Sequence, residues 1–342
     1  MRVVVVLAGL LIFAHPGWTQ VRFDERVDVA RVLVDARVVD SRGRPCRGLD
    51  AADFRVEIDG RPARLQSATW IGLPAPAGGD GSDEPTAAPQ PRVGPAGRRI
   101  VFFVQWSLEP SRITGMLQML RESARFVERL QPDDRAAIMV FDYHLRVRQD
   151  FTGDRARLRA ALYGGILSDA PRTTPTDGVS IRAHLDPGKA ARAATPEKAL
   201  AVLADALRPV EGAKDLVLLG HGFGQYRPVI GSLVGTATLD RDYDAAREAL
   251  VRARVTVFAL DVTDADQHTL ETALMTAADD TGGFYQKAHQ FQDLAMDRLE
   301  GALQGYYMLA VERPARRRGR HTISVHVNRK GTDVRARRCY VD

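Results

Sequence analysis

The chain has only two cysteines, Cys46 and Cys339, in 342 residues. That is too few for a disulfide scaffold or for a zinc site built mainly of thiolates. Gly-rich phosphate loops are missing: neither G-x-x-x-x-G-K-[ST] nor G-x-G-x-x-G follows a strand pattern, so nothing supports nucleotide binding. The eight histidines show no H-x-x-x-H or H-E-x-x-H spacing, which leaves a zinc hydrolase without support. Gly220-His221-Gly222-Phe223-Gly224 has the glycine spacing of a nucleophile elbow, but a histidine sits where the serine belongs.

What is present is an ordinary globular composition. Apolar residues at 45% and charged residues at 27% exclude wholesale disorder and a multispanning membrane protein. The length suggests two or three structural units. The net charge of +5 is concentrated: Val311–Arg338 carries ten basic residues against Glu312 and Asp333, and the rest of the chain is mildly acidic. A nucleic-acid reading of the basic balance would rest on that stretch alone.

Met1-Arg2 precedes an apolar run of twelve, Val3–Ala14, closed by Pro16-Gly17. The run is shorter than the ~20 residues of a membrane-spanning helix and reads as a signal peptide over 1–20, with secretion or a periplasmic location. No cysteine precedes Cys46, which argues against an N-terminal lipid anchor. Export makes a Cys46–Cys339 disulfide chemically feasible, and two separate thiols are the other reading.

Residues 21–71 carry strand alternation, as in Val27–Val39 and Asp53–Ile58, with turn signals at Asp40-Ser41-Arg42-Gly43 and Asp59-Gly60. This β module reads either as a docking domain or as a packing partner. Residues 72–98 are rich in Gly, Pro and Ala and read as a linker. From 99 to 304, apolar strands alternate with helical stripes, beginning with Ile100–Val104 and a stripe through Met116, Leu120, Ala124, Val127 and Leu130. That grammar predicts a doubly wound, mostly parallel α/β sheet, with an insertion at 164–195 and ligands at the carboxyl ends of the strands. The β grammar returns over 305–342, where Arg316–Arg320 reads as a hairpin tip. Those last strands are expected to pack on the N-terminal module as a β-rich, sandwich-like unit, bringing Cys46 close to Cys339.

The first α/β strand runs into Val104-Gln105-Trp106-Ser107-Leu108-Glu109. Short polar residues at alternate positions after an apolar strand resemble the von Willebrand factor type A (VWA) domain. Its metal-ion-dependent adhesion site is D-x-S-x-S, completed by a Thr and an Asp from later strand ends. Leu33–Pro45, Asp53–Gly60, Gln149–Arg155, Val257–Asp261, Thr281-Gly282-Gly283, Leu303–Tyr307 and Val334–Tyr340 are similar to exported VWFA-related proteins of Acidobacteria. Against that pattern, Gln105 stands at the aspartate position, Ser107 keeps the first hydroxyl, Glu109 replaces the second, and His221 falls at the later aspartate. Thr173, Thr174 and Thr176 are the threonine candidates.

The resemblance implies a non-enzymatic protein-binding or adhesion protein with a degenerate metal site. Its rim is Gln105, Ser107, Glu109 and His221. No cofactor is expected; a divalent cation such as Mg²⁺, if bound, would use Ser107 and Glu109. The partner is another protein or an envelope component, not nucleic acid, with no transmembrane segment in the mature chain. Two alternatives stand beside it: a hydrolase using His221 with Asp142 or Glu109, and a cationic envelope protein binding anionic polymer through Arg316–Arg320.

Overall fold

The computed structural model describes residues 31–73, 97–163, 178–227, 236–239, 241–266, 268–314 and 318–342. The signal-peptide reading, most of 72–98, the first part of the insertion with its three threonines, and Arg316-Arg317 lie outside those residues. Among the described residues no helix is long and apolar enough to cross a membrane.

The chain opens with β1 (Arg31–Asp40), β2 (Phe54–Ile58), β3 (Arg61–Ala63) and β4 (Leu65–Gly72). The α/β part follows: β5 (Arg99–Gln105), α1 (Pro110–Val127), β6 (Arg135–Phe141), β7 (Leu145–Thr152), α2 (Arg155–Tyr163), α3 (Pro187–Ala191) and α4 (Pro196–Leu207). It continues with β8 (Lys214–Gly220), β9 (Gln225–Arg227), β10 (Thr236–Thr238), α5 (Arg241–Arg252), β11 (Val255–Asp261), α6 (Glu271–Thr281), β12 (Phe284–Lys287) and α7 (Gln292–Ala302). The chain closes with β13 (Gly305–Glu312), β14 (Arg320–Val327), β15 (Thr332–Ala336) and β16 (Cys339–Val341).

The flanking unit is a β-sandwich built from both ends of the chain. One sheet has the order β15-β1-β13-β4 and the other β16-β14-β2-β3, so each contains N-terminal and C-terminal strands. The alternation in β1 buries Val32, Val34, Ala36 and Val38 against Phe54, Val56 and Ile58 of β2 and Tyr307 of β13. The α/β part is thus inserted between two halves of one sandwich.

The central sheet has the order β12-β11-β8-β5-β6-β7, parallel except for β7, which pairs antiparallel with β6 at the edge. Its strands are apolar on both faces because helices cover both. Ile100, Phe102 and Val104 of β5 face the side packed by α1, α2 and α7, while Val101 and Phe103 face α4, α5 and α6. Truncating a fully buried ring such as Phe102 or Phe258 to alanine costs about 3–5 kcal/mol. Gly282 ends α6 in the left-handed conformation (φ 83°), where any side chain would also meet the backbone of Ala336 and Arg337.

The sandwich sits beneath the amino edge of the sheet. Asp35 of β1 pairs with Arg254, just before β11. The buried Arg37 of β1 pairs with Asp215 near the start of β8. The bonds between the sandwich and the sheet strands among the described residues lie at this amino edge.

Three expectations are corrected. Cys46 and Cys339 are both free. The Cys46 N–H bonds Val38 O of β1 (2.8 Å), whereas Cys339 pairs with Thr322 of β14 in the other sheet. β13 and β14 do not pair as a hairpin, since they belong to different sheets. The end of the β stretch expected over 305–342 divides into β15 and β16, one in each sheet, with Arg337 and Arg338 at the break.

Candidate functional site

The carboxyl edge of the sheet gathers the residues singled out in the sequence. Gln105 is the last residue of β5 and is buried beside Gly220 at the end of β8. A Cβ on Gly220 would stand 2.6 Å from Gln105 Oε1, so the glycine makes room for the amide. Gln105 Nε2 donates to Gly222 O (2.7 Å) and its Oε1 accepts the His221 N–H (3.1 Å). A carboxylate could accept the second bond but could not supply the first. The neutral amide therefore closes the β8 loop onto β5. That loop needs glycine again at Gly222 (φ 98°), whose Cβ would lie 2.3 Å from Leu270 O.

Ser107 Oγ accepts the Glu109 N–H (3.2 Å). Glu109, at the entrance to α1, accepts the Ser111 hydroxyl (3.1 Å) and pairs with Arg112 (2.7 Å). His221 Nδ1 is buried with no partner among the described residues. Burial, and then the nearby Arg112 charge, push its pKa down to about 3, so the ring is neutral at physiological pH. The fold brings Gln105 to the His221 backbone; of the carboxylates expected to serve its ring, Glu109 is held by Arg112 and Asp142 by Arg146, and the carboxylate charge that does act on the ring is that of Asp261.

The VWA resemblance implies a cation at this place, and the residues present do not fit one. A hard divalent ion needs several oxygens with free lone pairs, including a carboxylate. Here the aspartate position is an amide committed to backbone, the Ser107 oxygen takes an N–H, and the Glu109 carboxylate is balanced by Arg112.

Sequence reasoning missed a second group on the same edge. Asp261 ends β11; its carboxylate accepts the Thr263 N–H (3.0 Å), meets His268 Nε2 (2.7 Å) and accepts the Tyr285 hydroxyl (2.8 Å). Tyr285 also reaches Glu271 Oε2 (3.4 Å), which Lys287 approaches at 3.2 Å. Burial works against the charge on Asp261, but those hydrogen bonds, His268's first, hold its pKa below the usual carboxylate value. Burial, with Asp261 close by, pushes the Tyr285 phenol far up, so it stays a donor. The available sequence signal was a strand-end aspartate followed by H-x-x-E at His268 and Glu271.

Three large apolar side chains stand out from loops of this edge: Leu108 after β5 (69% exposed), Tyr143 after β6 (78%) and Phe291 after β12 (61%). Tyr143 is held at φ 70°, a region that a bulky residue rarely adopts.

No family model matches the sequence, and no curated protein matches it. Among solved structures, the chain is similar to a von Willebrand factor type A protein from Catenulispora acidiphila, at 10% identity over 84% of this chain and 73% of that one, with TM-score 0.42. An aerotolerance-related membrane protein from Bacteroides fragilis is similar at 13% identity over 60% of this chain and 98% of its own, with TM-score 0.38. The PilB minor pilin from Streptococcus sanguinis is similar at 12% identity, covering 81% of this chain and 88% of its own, with TM-score 0.35. The sheet itself, five parallel strands and one antiparallel edge strand between two helical layers, makes the α/β part a VWA-like domain.

Proposed function

We propose that this chain is an exported, non-enzymatic protein that binds another protein or envelope component in adhesion, docking it on the carboxyl edge of the VWA-like sheet without a metal at the Gln105 position. The observation that carries the reading is the grouping of Leu108, Tyr143 and Phe291 on loops of that one edge, all well exposed. From β6 to β12 the edge spans four strand spacings, roughly 19 Å, a width suited to a protein surface rather than a small molecule. Large aromatic and aliphatic anchors of this kind dominate protein interfaces. A His221 with its pKa near 3 is a poor base at neutral pH, and its Nδ1 has no hydrogen-bond partner among the described residues, which disfavours the hydrolase alternative.

The test is capture from envelope extract by the purified chain and by a Leu108→Ser, Tyr143→Ser, Phe291→Ser triple variant. Saturable capture by the parent, at least about tenfold weaker in the variant and unchanged by added Mg²⁺, supports the reading. Equal capture by both proteins, or no saturable partner, overturns it.

A further inference from the structure

We infer that Asp261, His268 and Glu271 form a binding site for a divalent cation of the zinc class, separate from the Gln105 position and independent of the docking reading. One ligand atom from each of the three lies within 4.8 Å of the other two. Bonds of about 2.0–2.2 Å to zinc place tetrahedral donors roughly 3.4 Å apart, so movements of less than about 1 Å seat one ion among these groups. Imidazole nitrogen and carboxylate oxygen are both zinc donors, and three protein ligands leave a further position for water. The imidazole distinguishes it from an all-oxygen magnesium site.

The supporting elements are rigid. β11 and β12 run parallel with Ala259 opposite Tyr285 and Asp261 opposite Lys287, so Asp261 and Tyr285 lie on one face of adjacent strands. Asp261 is buried and its carboxylate is fixed by the Thr263 N–H. Glu271 is the first residue of α6, and His268 stands three residues before it on the turn that enters the helix. The Tyr285 hydroxyl donates to Asp261 (2.8 Å) and stands 3.4 Å from Glu271, the kind of outer hydrogen bond that orients ligands and tunes affinity. Lys287 is the only ammonium paired with the group among the described residues, and it also donates to Ala265 O (3.0 Å). Two carboxylates with a single ammonium leave negative charge for a cation to neutralise. None of these side chains is used by the proposed docking surface.

The experiment uses the full chain, stripped with chelator, and ZnCl₂ as the probe in calorimetry, with Co²⁺ as a spectroscopic substitute. One Zn²⁺ per chain is expected, with Mg²⁺ at a hundredfold excess failing to displace it. His268→Ala and Glu271→Gln should each weaken binding at least about 100-fold, and Tyr285→Phe about tenfold. The visible Co²⁺ band should vanish in the first two variants. Glu271→Gln is nearly isosteric, so it reports even if His268→Ala disturbs the loop. Absence of Zn²⁺ binding to the parent chain, or an affinity unchanged in both ligand variants, overturns the site.

Discussion

Arg37 of β1 forms an ion pair with Asp215 of β8, and both side chains are almost wholly shielded from solvent. The guanidinium also donates to Thr256 Oγ1 (3.0 Å) and Ala302 O (3.3 Å) and lies 5.1 Å from the Phe258 ring centroid. One side chain from the sandwich thus meets two sheet strands and the end of α7, and it fixes how the inserted domain sits on its β support. Arg37→Ala strands the Asp215 charge and should cost about 3–5 kcal/mol. Replacing both partners, Arg37→Met with Asp215→Leu, should cost much less, because no buried charge is left alone. Urea denaturation of the two proteins checks this; equal losses would show that the pair does not hold the units together.

Gln105 gives a sharper test, because the metal-site pattern that the sequence resembles carries aspartate at this position. Gln105→Asp removes the donor to Gly222 O and sets a buried carboxylate against a carbonyl. A loss of about 3 kcal/mol is expected. Calorimetry with Mg²⁺ should stay silent in this variant, since Glu109 remains paired with Arg112. Full stability together with Mg²⁺ binding would contradict the account of a closed rim.

Much of this architecture is legible in the residues. The alternation of Val32, Val34, Ala36 and Val38 marks a half-buried antiparallel strand, and the unbroken run Ile100–Val104 marks a strand covered on both faces. β7 is not legible in the same way. Arg146, Arg148, Gln149 and Asp150 make it look like a polar loop, yet Asp150 is buried because it accepts the Ile181 N–H (2.8 Å) and the Ser180 hydroxyl (2.7 Å) from across the fold. Both ends do pack together, but the two cysteines are free: Cys46 bonds to β1 in one sheet, while Cys339 pairs with Thr322 of β14 in the other, a division between sheets that strand alternation alone does not reveal. Gln105 was found through its strand-end position, whereas His268, Glu271 and Tyr285 converge only through the parallel pairing of β11 with β12.

Lys214 begins β8 in a buried position and donates to Val210 O (2.7 Å). Burial, with the positive charge of Arg254 adding to it, pushes its pKa down to about 8. Unfolded, it titrates near 10.4. Below about pH 8 the folded chain bears the full cost of the buried charge. Between about 8 and 10.5 the unfolded chain holds the proton that the folded one has lost, so this group makes stability rise with pH. Lys214→Met should therefore be more stable than the parent near neutral pH, by about 1–3 kcal/mol, with the advantage shrinking towards pH 10.5. Urea midpoints across that range measure the difference, and an advantage that does not change with pH would refute the assignment.

Tyr143 links strain to the proposed docking edge. It sits at φ 70° between Asp142 and His144, where the Asp142 N–H meets His144 O (3.3 Å), and its ring points into solvent. A left-handed conformation costs a non-glycine residue about 1 kcal/mol, and nothing in the loop recovers that cost through burial of the ring. Tyr143→Gly should therefore stabilise the chain by about 1 kcal/mol relative to Tyr143→Ala, which keeps the strain. Both substitutions remove the aromatic anchor and should weaken partner capture alike. Thermal or urea unfolding separates the two variants in stability, and the capture assay compares them in binding. If Tyr143→Gly binds as well as the parent, the strained ring serves no interface, and the docking surface reduces to Leu108 and Phe291.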